Sequence, residues 1–289
     1  MGQCLMKDKF EIKGENSFGS PVWVFLVFVF TLSWPVLIYG FGWFDSREDV
    51  LKRYIFSCMG MLMVAFSAFI TRAFVERQGF KDVGWNPGHY KWYLAVLLFC
   101  VLLWLAPPLA ALPFGKLEWN HNLSRDELIV VILSLGGFSL LAGFGEEFGW
   151  RGYLLPRLLS DRRMAHGVLL IVGFVWGIWH CAIAVGPLLK AGLEGTPAWL
   201  SMVGPALASC AQMVGSSIAL SLIFGAVWFK SKSIFLSSFL HGCWLGIRDA
   251  SSHLFSYPSA FRLITLIIVL AAWLMAYRWL KKYEREEAS

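Results

Sequence analysis

Apolar runs of about 20 residues recur along the whole 289-residue chain, and each is the length an α-helix needs to cross a ~30 Å hydrocarbon core. Eight such runs are drawn at residues 22–44, 54–75, 92–113, 128–155, 167–189, 199–229, 233–247 and 260–280. The seventh is short, and only Lys230, Ser231 and Lys232 part it from the sixth. Composition agrees: 15% of the residues are charged and the mean hydropathy is +0.61, against roughly 25% charged in a soluble domain. Pro35, Pro107, Pro108 and Pro205 fall inside the runs, where membrane helices tolerate them. The expectation is an all-α, polytopic membrane protein of about eight transmembrane helices in the lipid bilayer, forming one integral domain over 1–289 with short linkers and no internal repeat.

The net charge of +6 is spread over the loops, and no basic stripe interleaves with aromatic residues, so no nucleic-acid partner is expected. Lys and Arg instead report orientation. With the N-terminus inside, sixteen fall on the cytoplasmic side and eight opposite, Arg151 being set aside as intramembrane. Lys7, Lys9 and Lys13, Arg162 and Arg163, and the cluster from Arg278 to Arg285 carry that bias, which puts both termini in the cytoplasm (of the cell membrane, for a prokaryotic chain). The six cysteines contain no CxxC and lie mostly within apolar runs, so they read as small packing residues. The first run is too long for the h-region of a signal peptide, and Met6 stands where a myristoylation motif needs Ser or Thr.

Against this background the stretch GFGEEFGWRG, residues 143–152, is out of place. Ser124 and Glu127 have capping-box spacing, so the fourth helix starts near Leu128 and reaches Glu146 after about 27 Å. If it runs on to Leu155, Glu146 lies about 14 Å from the cytoplasmic end, where a charged side chain costs about 2.5–3.5 kcal/mol. Glu146, Glu147 and Arg151 therefore need a protein-lined or wet setting. Glu147 and Arg151 stand at i,i+4 in the favourable order for an ion pair. Glu146 points about 100° away, without a partner in its own helix, and is the better candidate for a base. Gly143, Gly145, Gly149 and Gly152 remove bulk, so that a helix, a substrate backbone or water can come close.

Two histidines lie in other runs: His180 in FVWGIWHCAIA, one turn after Trp176, and His241 in SSFLHGCWLG, between Ser237 and Leu245. Their depths from the cytoplasmic side, about 20 Å and about 12 Å, bracket that of Glu146. Two imidazoles and a carboxylate from three helices suit a metal ion or a metal-free activated water. HExxH is absent. The other histidines, 89, 121, 166 and 253, sit at span ends or in loops and read as surface groups.

EEFGWR followed by GYLLPRL, then WGIWH, then LSSFLHG resemble, in that order, the three motifs of the CAAX-protease and bacteriocin-processing family of intramembrane proteases, relatives of the prenyl-protein endopeptidase. The resemblance spans residues 124–246 and has Trp176 where Phe is usual. It implies an eight-helix core around a cytoplasm-facing cavity, and hydrolysis of a peptide bond in a membrane-associated peptide or protein. By position it makes Glu146 the base that activates water. His180 and His241 orient that water or, with Glu146, ligate Zn2+, and Glu147 and Arg151 shape the site. Leu245 departs from the family pattern: Asn is common there as an oxyanion donor, and its loss can cost about 10²–10³-fold in rate. Ser237 and Arg248 are the substitutes on this helix.

Two other classes compete. A non-catalytic membrane scaffold or immunity protein is favoured by Leu245 and opposed by the joint presence of Glu146, His180 and His241. A proton-coupled transporter with Glu146 as relay predicts an internal repeat, which the chain lacks.

Overall fold

A computed structural model describes residues 20–159, 164–197 and 199–288. Cys4, Lys7, Lys9, Lys13, Arg162 and Arg163, which entered the orientation and cysteine arguments, lie outside them. The chain is a helical bundle: α1 Ser20–Gly42, α2 Val50–Ile70, α3 Tyr90–Ala111, α4 Arg125–Leu135, α5 Phe138–Gly149, α6 Leu155–Leu159, α7 Ala165–His180, α8 Ala182–Leu193, α9 Trp199–Ser231, α10 Ile234–Leu254 and α11 Arg262–Ala288. Among the described residues the only sheet is a two-residue antiparallel pair, Glu118–Trp119 with Phe255–Ser256. Hydrocarbon offers the backbone no hydrogen-bond partner, and helices satisfy their amides internally.

Every expected run is helical, but they are not eight alike. Six helical stretches are long and apolar enough to span, and a bent pair makes a seventh. The expected short seventh run extends to Leu254, 21 residues in all, capped by the Ser233 hydroxyl accepting from the Leu236 amide. It falls outside the apolar set because it is an interior helix: Ser237, Ser238, His241, Gly242 and Gly246 on it are buried against protein rather than lipid.

The fourth run corrects the straight helix expected over 128–155. Its start is as read: Ser124 caps through the Glu127 amide, and the Glu127 carboxylate returns to the Ser124 amide. At Gly136–Gly137 it breaks, with Gly137 at φ 101°, and α5 leaves at 60° to α4. Glycine takes that left-handed conformation without a Cβ penalty, and the amide ladder is interrupted there. Nor does Pro156 end it. A π-helical turn over Trp150–Leu154 widens the backbone ahead of the proline, and α6 continues to Leu159. The fifth run is likewise two helices, α7 and α8, which meet at Cys181 directly after His180.

The break aims α5 between α2 and α10. At Gly143 a Cβ would stand 2.7 Å from the Gly242 amide nitrogen and 3.1 Å from the His241 Cβ. At Gly145 it would stand 2.8 Å from the Met61 carbonyl oxygen. What approaches these glycines is therefore neighbouring helix. We expect Gly143→Ala to cost about 1–3 kcal/mol by overpacking. Thermal unfolding in detergent reads that cost, and an unchanged melting temperature would refute the close contact.

The cysteines behave as read: Cys58, Cys100 and Cys181 are buried, Cys210 and Cys243 partly so, and all five are free thiols. Two of the supposed surface histidines are not surface groups. His166 is half-buried against Glu284, with Nδ1 2.7 Å from the carboxylate, and His253 lies 3.6 Å from Glu127. Each ties a helix end to a helix distant in sequence, which local polarity cannot reveal.

Candidate active site

The π turn and the α5–α10 contact place four of the five expected residues in one buried cluster. Glu146, Glu147 and Arg151 are fully buried, and His241 is 3% exposed. Arg151 Nη1 donates to Glu147 Oε1 at 2.8 Å, the expected i,i+4 pair. The same oxygen lies 2.8 Å from His241 Nδ1. A carboxylate only accepts, so Nδ1 carries a proton, and in the neutral ring Nε2 is then an acceptor. That Nε2 faces Glu146 Oε1 across 3.9 Å.

Glu146 is not partnerless in its own helix, as the spacing implied. Trp150, one turn on, donates its indole N–H to Glu146 Oε2 at 3.1 Å. Trp176 of α7 donates to the same oxygen. A search for charges alone passes over both donors, because an indole counts as apolar by composition. The two N–H groups hold one carboxylate oxygen and turn the other, Oε1, inward. Oε1 has no partner within the protein, and neither have Glu147 Oε2 and Arg151 Nε and Nη2. Buried polar atoms this close together suit ordered water.

The walls are aromatic. The Arg151 guanidinium lies 4.7 Å from the Trp176 ring and 5.1 Å from Phe224 of α9. The His241 ring meets both edge-on, at 5.6 Å and 5.2 Å. Phe224 carries no chemical signature and was invisible in the sequence. On the far side of α7, Trp179 donates to Ser33 of α1 at 2.6 Å and Trp34 returns a bond to the Trp179 carbonyl at 3.0 Å, which fixes the end of the helix that bears His180.

His180 stands beside the cluster rather than in it. It is half-buried at the α7–α8 break, its Nδ1 3.0 Å from the Trp176 carbonyl, and it interacts electrostatically with Glu146, His241 and Arg248. A zinc site needs three protein donors at about 2.0–2.2 Å, and among the described residues no three His, Cys, Asp or Glu side chains converge in that way. Glu146, His180 and His241 as placed do not form the ligand set.

Leu245 is buried one turn beyond His241 and donates nothing. Of its two proposed substitutes, Ser237 gives its hydroxyl to the Ser233 carbonyl at 3.1 Å. Arg248 binds Asp249 through Nε at 2.7 Å and interacts electrostatically with Glu146.

Fold and cluster together define a multi-pass helical membrane protein with a carboxylate, imidazole and guanidinium site sealed inside the bundle. Residues 128–247 match the model of the Rce1-like type II CAAX prenyl endopeptidase family, as the three motifs implied, and they include every residue of the cluster. The match covers 120 of the 289 residues, and over them the chain is similar to that family of membrane peptidases. No curated protein matches the chain.

The second indole donor gives a prediction. Trp176→Phe keeps an aromatic ring at this position and removes one hydrogen bond to the carboxylate. Such bonds are worth about 1.5–3 kcal/mol, so turnover should fall about tenfold or more without loss of folded protein. Wild-type turnover in the variant would show that Trp150 alone holds Glu146.

Proposed function

We propose that this protein is an intramembrane endopeptidase that hydrolyses a peptide bond of a membrane-associated peptide or protein, with Glu146 as general base. The observation that carries the reading is the facing pair: Glu146 Oε1, turned inward by two indoles, and His241 Nε2, 3.9 Å away. A water between them donates one hydrogen to each acceptor and presents its lone pair to a substrate carbonyl. Glu146 takes the proton as the water oxygen bonds to the carbonyl carbon. The C–N bond then breaks as the same proton passes to the leaving amine. Glu147 holds His241 in the tautomer this needs, and Arg151 holds Glu147. His180, beside the cluster and not bonded to Glu146, orients substrate or water from the α7 side. With Ser237 engaged and Leu245 apolar, the developing oxyanion falls to the Arg248 N–H groups that Asp249 does not hold, since Asp249 takes Nε and Nη2. We assign both termini to the cytoplasm from the Lys and Arg bias of the loops.

The test is cleavage of a fluorogenic prenyl-peptide and a small panel of membrane peptides by detergent-purified protein. Wild type, Glu146→Gln and His241→Ala are compared, with and without a strong chelator. Cleavage by wild type, lost in both variants and indifferent to the chelator, supports this reading; loss on chelation assigns the step to a metal. Leu245 favours a second reading, a non-catalytic scaffold or immunity protein. That reading predicts no cleavage by folded wild type and a cellular phenotype that survives Glu146→Gln.

A further inference from the structure

A second cavity, of about 260 Å³, lies apart from the buried cluster, at the end of the bundle where α3 begins and α9 ends. Its wall is Trp92 and Val96 of α3, Ala226 and Val227 of α9, Leu236 of α10, and Met275, Ala276 and Trp279 of α11. At its mouth stand Lys230 and Ser231. The lining is hydrocarbon and indole with one cation at one end.

Three observations say what fits it. First, the cavity lies beside the least embedded span: 11% of the apolar window of α11 is buried, and Met275 at the rim is 66% exposed, on a face that lipid would cover in a bilayer. Second, its charged end is at helix-terminus depth, beside Trp92 two residues after the start of α3, where indoles sit at the membrane–water interface. Third, the cation is available. The acids near the end of α11 are engaged elsewhere, Glu284 with His166 and Glu286 with Lys282, and the Lys230 ammonium lies 4.2 Å over the Trp92 ring.

We propose that this groove binds an anionic phospholipid, with part of one acyl chain along Val96, Val227 and Leu236 and the phosphate on Lys230. Interfacial basic pockets between membrane helices bind lipid head groups in this way. The bound lipid fills the gap between α11 and the rest of the bundle. This site does not depend on the peptidase reading.

The experiment uses full-length protein, stripped of lipid in neutral detergent and titrated with phosphatidylglycerol or phosphatidylcholine of identical chains. Native mass spectrometry reads the first lipid bound. Wild type should retain phosphatidylglycerol in preference to phosphatidylcholine. Lys230→Gln, a change at an exposed side chain, should weaken phosphatidylglycerol about fivefold and leave phosphatidylcholine unchanged. Ala226→Trp, which fills the groove, should displace both lipids. Equal retention of the two lipids by wild type, or wild-type phosphatidylglycerol affinity in Lys230→Gln, would overturn the assignment.

Discussion

Glu146→Gln should lower the rate of peptide cleavage by about 10²–10⁴-fold, the contribution of a positioned general base. The substitution suits the site because glutamine has nearly the same volume and keeps an oxygen that can accept from Trp150 and Trp176. What it removes is the capacity of Oε1 to take a proton, where the amide nitrogen would instead present hydrogens to the water. Binding of a non-cleaved substrate peptide should survive, so the loss should appear in kcat rather than KM. His241→Ala is less clean, since it also strips Glu147 of one of its two partners and leaves space beside Phe224. Retained turnover in a folded Glu146→Gln protein would end the general-base assignment.

Arg151→Met should destabilise the protein by about 3–5 kcal/mol, a loss larger than any other single change in the cluster. The guanidinium is fully buried, pairs with Glu147 at 2.8 Å and lies against two aromatic faces. Its removal leaves a buried carboxylate facing a single imidazole, and an uncompensated buried charge is far more costly than a missing pair. The double variant Glu147→Gln/Arg151→Met removes both charges and should therefore recover part of the loss. Thermal unfolding in detergent measures both, and a double variant no more stable than Arg151→Met would show that the guanidinium acts through its packing on Trp176 and Phe224 alone. Neither variant should cleave, because His241 loses the carboxylate arrangement that sets its tautomer.

These two residues also mark how far linear reading reaches. The Glu147–Arg151 pair was legible because it is local: residues four apart on a helix face the same way wherever the helix goes. The helical class was legible for a similar reason, since a run of apolar residues in hydrocarbon has few ways to satisfy its amides. The capping box at Ser124 and Glu127 involves four consecutive residues and was read to the residue.

The rest turned on contacts between segments far apart in the chain. The Gly136–Gly137 break was missed because two glycines in an apolar run are compatible with a continuous helix or a bend, and packing against α2 and α10 selects the bend. Glu146 has no charged partner at helical spacing, and its actual partners are two indoles, one of them thirty residues away, which local charge pattern does not reveal. His180 and His241 were equivalent as letters in apolar runs. Packing separates them: α10 crosses α5 at Gly143 and carries His241 onto Glu147, while α7 stops at His180 and leaves it at the edge.

Local periodicity and hydropathy thus sufficed for the helical class, the apolar runs and the chemical types the site contains, because those follow from backbone hydrogen bonding and side-chain spacing within a few residues. Which oxygen of Glu146 is held and which is free, which histidine faces it, and how many helices meet lipid follow from where glycine permits one helix backbone to touch another. Those contacts depend on the summed packing of the whole bundle.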